Sequence, residues 1–82
     1  MIKIRYFGFL KDILQIEEEE ITWDNGNSQD LLNFLRSRNA SWSDALAEEN
    51  IFRLAINQRI IYQPTPLHPD DEVAILPPVT GG

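Results

Sequence analysis

Glu72-Val73-Ala74-Ile75-Leu76-Pro77-Pro78-Val79-Thr80-Gly81-Gly82 closes the chain, and its reading decides the rest. Residues 72–76 are an apolar strand signal. Pro77 and Pro78 end ladder pairing and favour an extended exit from the fold. Gly81 and Gly82 lack a Cβ and carry high backbone entropy, so they stay ordered only if something holds them. What they offer is thinness, because a bare backbone enters a channel that any side chain would block. The α-carboxylate at the end is ionised at neutral pH. From Val79 to Gly82 the tail reaches about 13 Å at roughly 3.3 Å per residue. The pattern reads as a folded body over residues 1–76 that presents a reactive carboxylate on a flexible arm, residues 77–82. A frayed tail is the alternative that the glycines alone leave open.

Eighty-two residues make one small domain. Such a chain buries about 60–65% of its unfolded surface, enough for one modest core and no deep catalytic cleft. The absence of cysteine excludes disulfides, thiolate metal sites and a thiol nucleophile on this chain. The opening residues form a strand rather than a signal peptide, and no long apolar run follows, so the cytoplasm is the expected address and no membrane is expected. The formal net charge of −6 argues against nucleic acid, which wants a basic patch, and fits a soluble protein steered to basic partner surfaces.

Upstream, residues 1–7 alternate. Ile2, Ile4 and Tyr6 share one face of a strand, and Lys3, Arg5 and Phe7 the other. Phe7 is apolar on the charged face, so it either plugs the core edge or sits exposed at an interface. Gly8 ends the strand, and residues 9–14 have the spacing for one helical turn capping the core. Glu17 to Glu20 form an acidic run. A solvated strand edge protected from aggregation explains it better than a cation site. The second strand is expected over residues 19–23, with Ile21 and Trp23 inward. Asp24-Asn25-Gly26-Asn27 is a turn signal. Asn27 or Ser28 then caps a helix over residues 28–38, which shows Leu31, Phe34 and Leu35 to the sheet and stops at Asn39. Residues 40–50 are irregular, with Trp42, Ala45 and Leu46 in a short helix under the sheet and Trp42 as a core anchor. Residues 52–56 read as a strand with Phe52, Leu54 and Ile56 in phase. Asn57-Gln58 turns into a short strand, residues 59–62. A loop with Pro64, Pro66 and Pro69 leads to the last strand, residues 72–76.

The order is strand, strand, helix, strand, short strand, strand. The first two strands pair antiparallel, and the helix crossover returns to the same sheet. The expected fold class is α+β: a β-grasp, with a mixed sheet of about five strands and one main helix across it.

The usual catalytic constellations are missing. His68 is the only histidine and reads as a surface residue rather than a metal ligand. There is no Ser/His/Asp motif or glycine-rich phosphate loop, so a self-contained enzyme is not expected. The terminal carboxylate remains. Attack on it adds charge to an anion, but adenylation by an ATP-using partner would supply a leaving group. A sulfur or nitrogen nucleophile could then attack the acyl carbon of Gly82, where Gly81 and Gly82 give little hindrance.

Ala55-Ile56-Asn57-Gln58, Pro66-Leu67, Asp71-Glu72-Val73-Ala74 and the ending Pro77-Pro78-Val79-Thr80-Gly81-Gly82 resemble the small subunit of molybdopterin synthase, the MoaD type of the ubiquitin-like MoaD/ThiS superfamily. Ile2-Lys3-Ile4, Phe7 and Lys11 agree with it. The resemblance implies a β-grasp sulfur carrier without an active site of its own, the sulfur-donating subunit of a sulfurtransferase. The C-terminal glycine, here Gly82, would be adenylated with ATP by a ubiquitin-activating-like adenylyltransferase (MoeB type) and converted to a thiocarboxylate. The tail, Val79, Thr80 and Gly81 leading to Gly82, would enter the large subunit (MoaE type), usually in a heterotetramer, where the sulfur helps build the dithiolene in molybdenum cofactor biosynthesis. No cofactor or metal would be bound by the carrier itself. Phe7, Ile60 and Leu76 match the family's docking surface, and Lys11 stands where the family often has arginine. A carrier for thiazole or tungsten-cofactor synthesis, a ubiquitin-type protein modifier and a non-covalent β-grasp binding module are the alternatives.

Overall fold

The computed structural model describes residues 1–47 and 52–77. Chain order is β1 (Ile2–Tyr6), α1 (Phe9–Leu14), β2 (Glu18–Ile21), α2 (Ser28–Arg36), α3 (Ala40–Ala45), β3 (Arg53–Ile56), β4 (Arg59–Ile61) and β5 (Glu72–Leu76). The strands form one sheet in the order β2-β1-β5-β3-β4. Only β1 and β5 run parallel, and the other three pairings are antiparallel. This is the mixed five-stranded β-grasp sheet expected from the sequence, with α2 as the longest of three described helices.

Alternation sorts the sheet into two faces. Ile2, Ile4, Tyr6, Val73 and Ile75 point to one side and are almost wholly buried. Leu10, Leu31, Leu35, Trp42 and Leu46 from the helical layer close over them in one cluster. Each such side chain contributes about 1.5–3 kcal/mol on leaving water.

Local chemistry sets the ends of α2. Asn27 Oδ1 accepts from the Gln29 and Asp30 N–H groups at 2.9 and 3.0 Å, and Asp30 Oδ2 accepts from the Asn27 N–H at 2.9 Å. This capping box satisfies donors that the first helical turn leaves free. Ser28 is buried, and it exchanges hydrogen bonds with Thr65 in the proline-rich loop. That anchor starts the inward stripe at Ser28 and carries it through Leu31, Leu32 and Leu35. Phe34, expected inward, is therefore 44% exposed. It packs edge-on against Trp23 with ring centroids 6.0 Å apart.

The helix also stops at Arg36 instead of Arg38, and Asn39 is not its end. Asn39 caps α3, its side chain accepting from the Trp42 N–H at 3.2 Å. Arg38, outside the helix, reaches Glu19 with two nitrogens at 2.7 and 2.8 Å. The second strand covers Glu18–Ile21 rather than residues 19–23, because Ile21 already faces Ile2 and β1 offers no further partner. Trp23 follows outside it, half-buried. The flanking residues Phe7, Phe52 and Tyr62 likewise fall just outside their strands, and Tyr62 is 82% exposed. In the region expected to be irregular, α3 buries Trp42 and Ala45, with Leu46 at its end, as the short-helix reading has it. Residues 48–51 lie outside the described residues.

Asn57 and Gln58 make the β3–β4 turn with φ of 51° and 72°. Asn57 also braces β5. Its N–H donates to the Glu72 carbonyl at 2.8 Å, its Oδ1 accepts from the Glu72 N–H at 3.0 Å, and its Nδ2 donates to Asp71 Oδ1 at 2.8 Å.

Candidate functional site

The second face of the sheet carries the alternate side chains of the same strands, and the described helices all lie on the other side. In one row, Arg5 faces Ala74, Ala74 faces Ala55 and Ala55 faces Ile60. In the next row toward the C-terminal end of β5, Leu76 faces Arg53. Phe7 follows the Tyr6–Ile75 pair and so stands beside Leu76. Ala55 and Ala74 make a low floor, with Phe7 and Leu76 rising at one end and Ile60 at the other. From β1 to β4 this strip is three strand spacings wide, about 14 Å.

Phe7 is 36% and Ile60 48% exposed, while Leu76 is half-buried. The Arg5 guanidinium sits 5.4 Å from the centre of the Phe7 ring and 3.8 Å from Glu72. Lys3 Nζ lies 3.5 Å from Glu18. An apolar strip with charged margins therefore occupies the open face. The structure brings together Phe7, Ile60 and Leu76 as the sequence reading groups them. Lys11 is exposed on α1, which begins two residues beyond Phe7, and is not a member of the sheet face.

β5 delivers the chain to Pro77 at the Phe7–Leu76 end. Gly8 fixes that exit. It has φ 60° and ψ −140°, a region that side chains disfavour. A Cβ added there would stand 2.6 Å from the Pro77 Cγ. Glycine thus lets the Pro77 ring pack on the β1–α1 turn. Val79, Thr80, Gly81 and Gly82, the expected tail, lie outside the described residues.

Three contributors escaped the sequence reading. Arg53 and Ala55 face outward by the same alternation that sends Leu54 and Ile56 inward, so their signal was present. The Gly8–Pro77 contact had none, because it joins residues 69 positions apart through the parallel pairing of β1 and β5.

Other polar clusters are structural. The His68 side chain is 75% exposed, with Nδ1 3.8 Å from Asp71. Asp71 itself holds the loop, accepting from the His68 N–H at 2.7 Å. Among the described residues no group of three or more His, Asp or Glu side chains could hold a metal ion. No described helix is long and apolar enough to cross a membrane. On the inner face, Glu19 accepts both Arg38 bonds and the Tyr6 hydroxyl at 2.7 Å. The Arg38 hydrogen bonds hold the Glu19 carboxyl below its usual range, against the opposing effect of burial, and the Tyr6 bond adds to them. Burial first, then the bond to Glu19, pushes the Tyr6 phenol up, so it remains a donor.

The ThiS family model matches residues 4–82. The molybdopterin synthase sulfur carrier subunit of Escherichia coli is 32% identical over 82 residues, covering all of both chains. The subunit of the same name from Haemophilus influenzae is 26% identical, again over the whole of both. Among solved structures, a putative molybdopterin converting factor subunit 1 from Pyrococcus furiosus superposes with a TM-score of 0.77 at 24% identity, over 95% of this chain and 97% of the other. SAMP1 from Haloferax volcanii gives 0.79 at 17% identity, over 99% and 98%. These two likenesses show the fold, a β-grasp.

Proposed function

The chain belongs to the ThiS family, and from that premise we propose that it is a sulfur carrier, the small subunit of a molybdopterin synthase that serves molybdenum cofactor biosynthesis. The observation that carries this reading is the full-length similarity to the Escherichia coli sulfur carrier subunit, 32% identical with no part of either chain left over. The geometry supports it, since β5 leads toward the glycine tail beside an open apolar strip.

The chemistry follows from the Gly82 carboxylate. A ubiquitin-activating-like adenylyltransferase of the MoeB type uses ATP to form an acyl-adenylate. A hydrosulfide-level sulfur nucleophile attacks the acyl carbon, the C–O bond to AMP breaks, and AMP leaves with the bonding pair. The product is a thiocarboxylate in which sulfur has replaced one oxygen. Val79, Thr80 and Gly81 then thread the end into the large subunit (MoaE type), where the sulfur passes to the pterin precursor of the dithiolene. Phe7, Ile60 and Leu76 dock the partners, and Lys11 flanks them. The carrier lowers no barrier itself; it supplies an unhindered acyl group and a recognition surface. The ATP requirement suits a cytoplasmic protein.

The test is intact mass after incubation with ATP, a sulfide donor and the adenylating enzyme. The expected result is a gain equal to exchange of one oxygen for sulfur, lost when Gly82 is deleted although the truncated chain still folds. Activation of the truncated chain at the full-length yield would sink the proposal.

A further inference from the structure

The outer sheet face holds three cationic side chains, and two already have carboxylate neighbours: Lys3 lies near Glu18, and Arg5 near Glu72. Arg53 differs. It is exposed on β3, directly across from Leu76, and among the described residues no carboxylate pairs with it. In a chain with 13 acidic and 7 basic residues, carboxylates to pair with are plentiful. Among the described residues it is the one guanidinium on this face without a carboxylate neighbour, and it stands in the row with Phe7 and Leu76, next to the exit at Pro77. Arginine and aromatic residues are the groups that concentrate binding energy at interface centres, and a guanidinium donates two parallel N–H bonds to a carboxylate.

We propose that Arg53 is a specificity-determining residue, which reads a carboxylate on the adenylating enzyme beside the apolar seat formed by Phe7 and Leu76. The inference rests on the carrier reading above. The partner that Arg53 reads is the activating enzyme, which the carrier must leave before the same strip can meet the large subunit, and the exposed apolar strip is small enough for that release. A few partly exposed side chains suit a partner that must release the carrier at every turnover, whereas obligate interfaces are large and more apolar. Charge complementarity sets the register. A chain of net charge −6 is drawn broadly to basic surfaces, which gives no orientation. A single acid facing Arg53 aligns the exit with the nucleotide site and penalises surfaces that present a cation there.

Adenylation itself gives the readout. A Gly82 carboxylate oxygen attacks the α-phosphorus of ATP, the acyl–O–P bond forms, the bond from that phosphorus to the bridging oxygen breaks, and pyrophosphate leaves. The step is reversible, so labelled pyrophosphate returns to ATP at a rate that depends on carrier concentration. With the full chain and its adenylating enzyme, Arg53→Glu is expected to raise the KM for carrier about 10- to 100-fold and leave kcat within about two-fold. Arg53→Lys keeps the charge but loses the fork and should recover only part of the affinity. Arg53→Gln should raise KM less than Arg53→Glu. Ser41→Glu makes the same one-unit charge change on the helical layer and should leave KM alone. Circular dichroism melting should be unchanged for all four variants.

A wild-type KM for Arg53→Glu, or an equal rise for Ser41→Glu and Arg53→Gln, would overturn the assignment while leaving the carrier reading standing. Failure of the wild-type chain to support Gly82-dependent exchange, with the enzyme active on another carrier, would remove both.

Discussion

Ile75 and Leu76 are neighbours on β5, yet they belong to different molecules in the energetic sense. Ile75 is wholly buried under the helices, and Leu76 lies half-buried on the open face across from Arg53. The same division runs along β1, where Ile2, Ile4 and Tyr6 face inward and Lys3, Arg5 and Phe7 outward. One face was filled by the chain's own helices and owes its free energy to folding. The other keeps apolar side chains in water, a cost of folding alone that only a partner can offset. Because strand side chains alternate, a single stretch of five residues encodes both surfaces.

The sharpest way to break this contrast is to truncate both neighbours. Ile75→Ala should cost about 2–5 kcal/mol, through lost transfer energy and the cavity left behind. For a domain this small that lowers Tm by more than about 10 °C. Leu76→Ala should cost about 1 kcal/mol or less and raise the adenylating enzyme's KM for carrier instead. Urea midpoints and exchange kinetics on the two variants decide it. Equal stability losses would mean that the open face is part of the core after all.

The division itself was legible in the sequence, since alternation over residues 1–7 and 72–76 gives strands, faces and the outward Phe7 without any long-range information. Helix α2 was legible in position but not in phase. Counting from Leu31 puts Phe34 inward, whereas the stripe begins at Ser28, whose burial depends on Thr65 in a loop 37 residues away. Periodicity places Arg38 in that helix, and its role needs Glu19, on a strand that precedes it by 19 residues. Gly8 shows the same limit: its neighbour Pro77 arrives only through the β1–β5 pairing. Local patterns carried the elements and the outward face, and the misplaced details depend on contacts between distant residues, except for Asn39, whose cap on the Trp42 N–H is local.

The margins of the two faces differ as well. Outside, Lys3–Glu18 and Arg5–Glu72 are exposed pairs, worth about 0–1 kcal/mol each. Inside, Glu19 receives Arg38 and Tyr6, and the Arg38 guanidinium lies 4.5 Å from the Trp42 ring centre. Glu19→Gln should cost about 1–3 kcal/mol at pH 7, since it weakens charge-assisted bonds at a largely covered site. Its acid dependence has a definite sign. The Glu19 pKa is lowered by folding, so its stabilisation is fully present above the unfolded value of about 4.3 and fades as pH falls through the folded value. The gap in urea midpoint between wild type and Glu19→Gln should therefore narrow from pH 7 to pH 3. A gap of the same size at both pH values would mean that the carboxylate contributes only shape.

The smallest effect expected separates the two residues of the β3–β4 turn, which joins the strand of Arg53 to the strand of Ile60. Both have positive φ, a conformation in which a side chain crowds the backbone and glycine does not. Asn57 repays the strain through its three bonds to Asp71 and Glu72, which tie the turn to the start of β5. Gln58 is exposed at φ 72°. Gln58→Gly should thus relieve more strain than it adds unfolded-chain entropy, a net gain of about 0.5 kcal/mol. Asn57→Gly should lose stability, because it deletes the side-chain bonds along with the strain. Neither residue lies on the Phe7–Leu76–Arg53 row, so Gln58→Gly should leave the exchange KM where it was. A stabilised variant with altered KM would show that the turn sets the open face as well as the fold, and the line between the two surfaces would have to be drawn elsewhere.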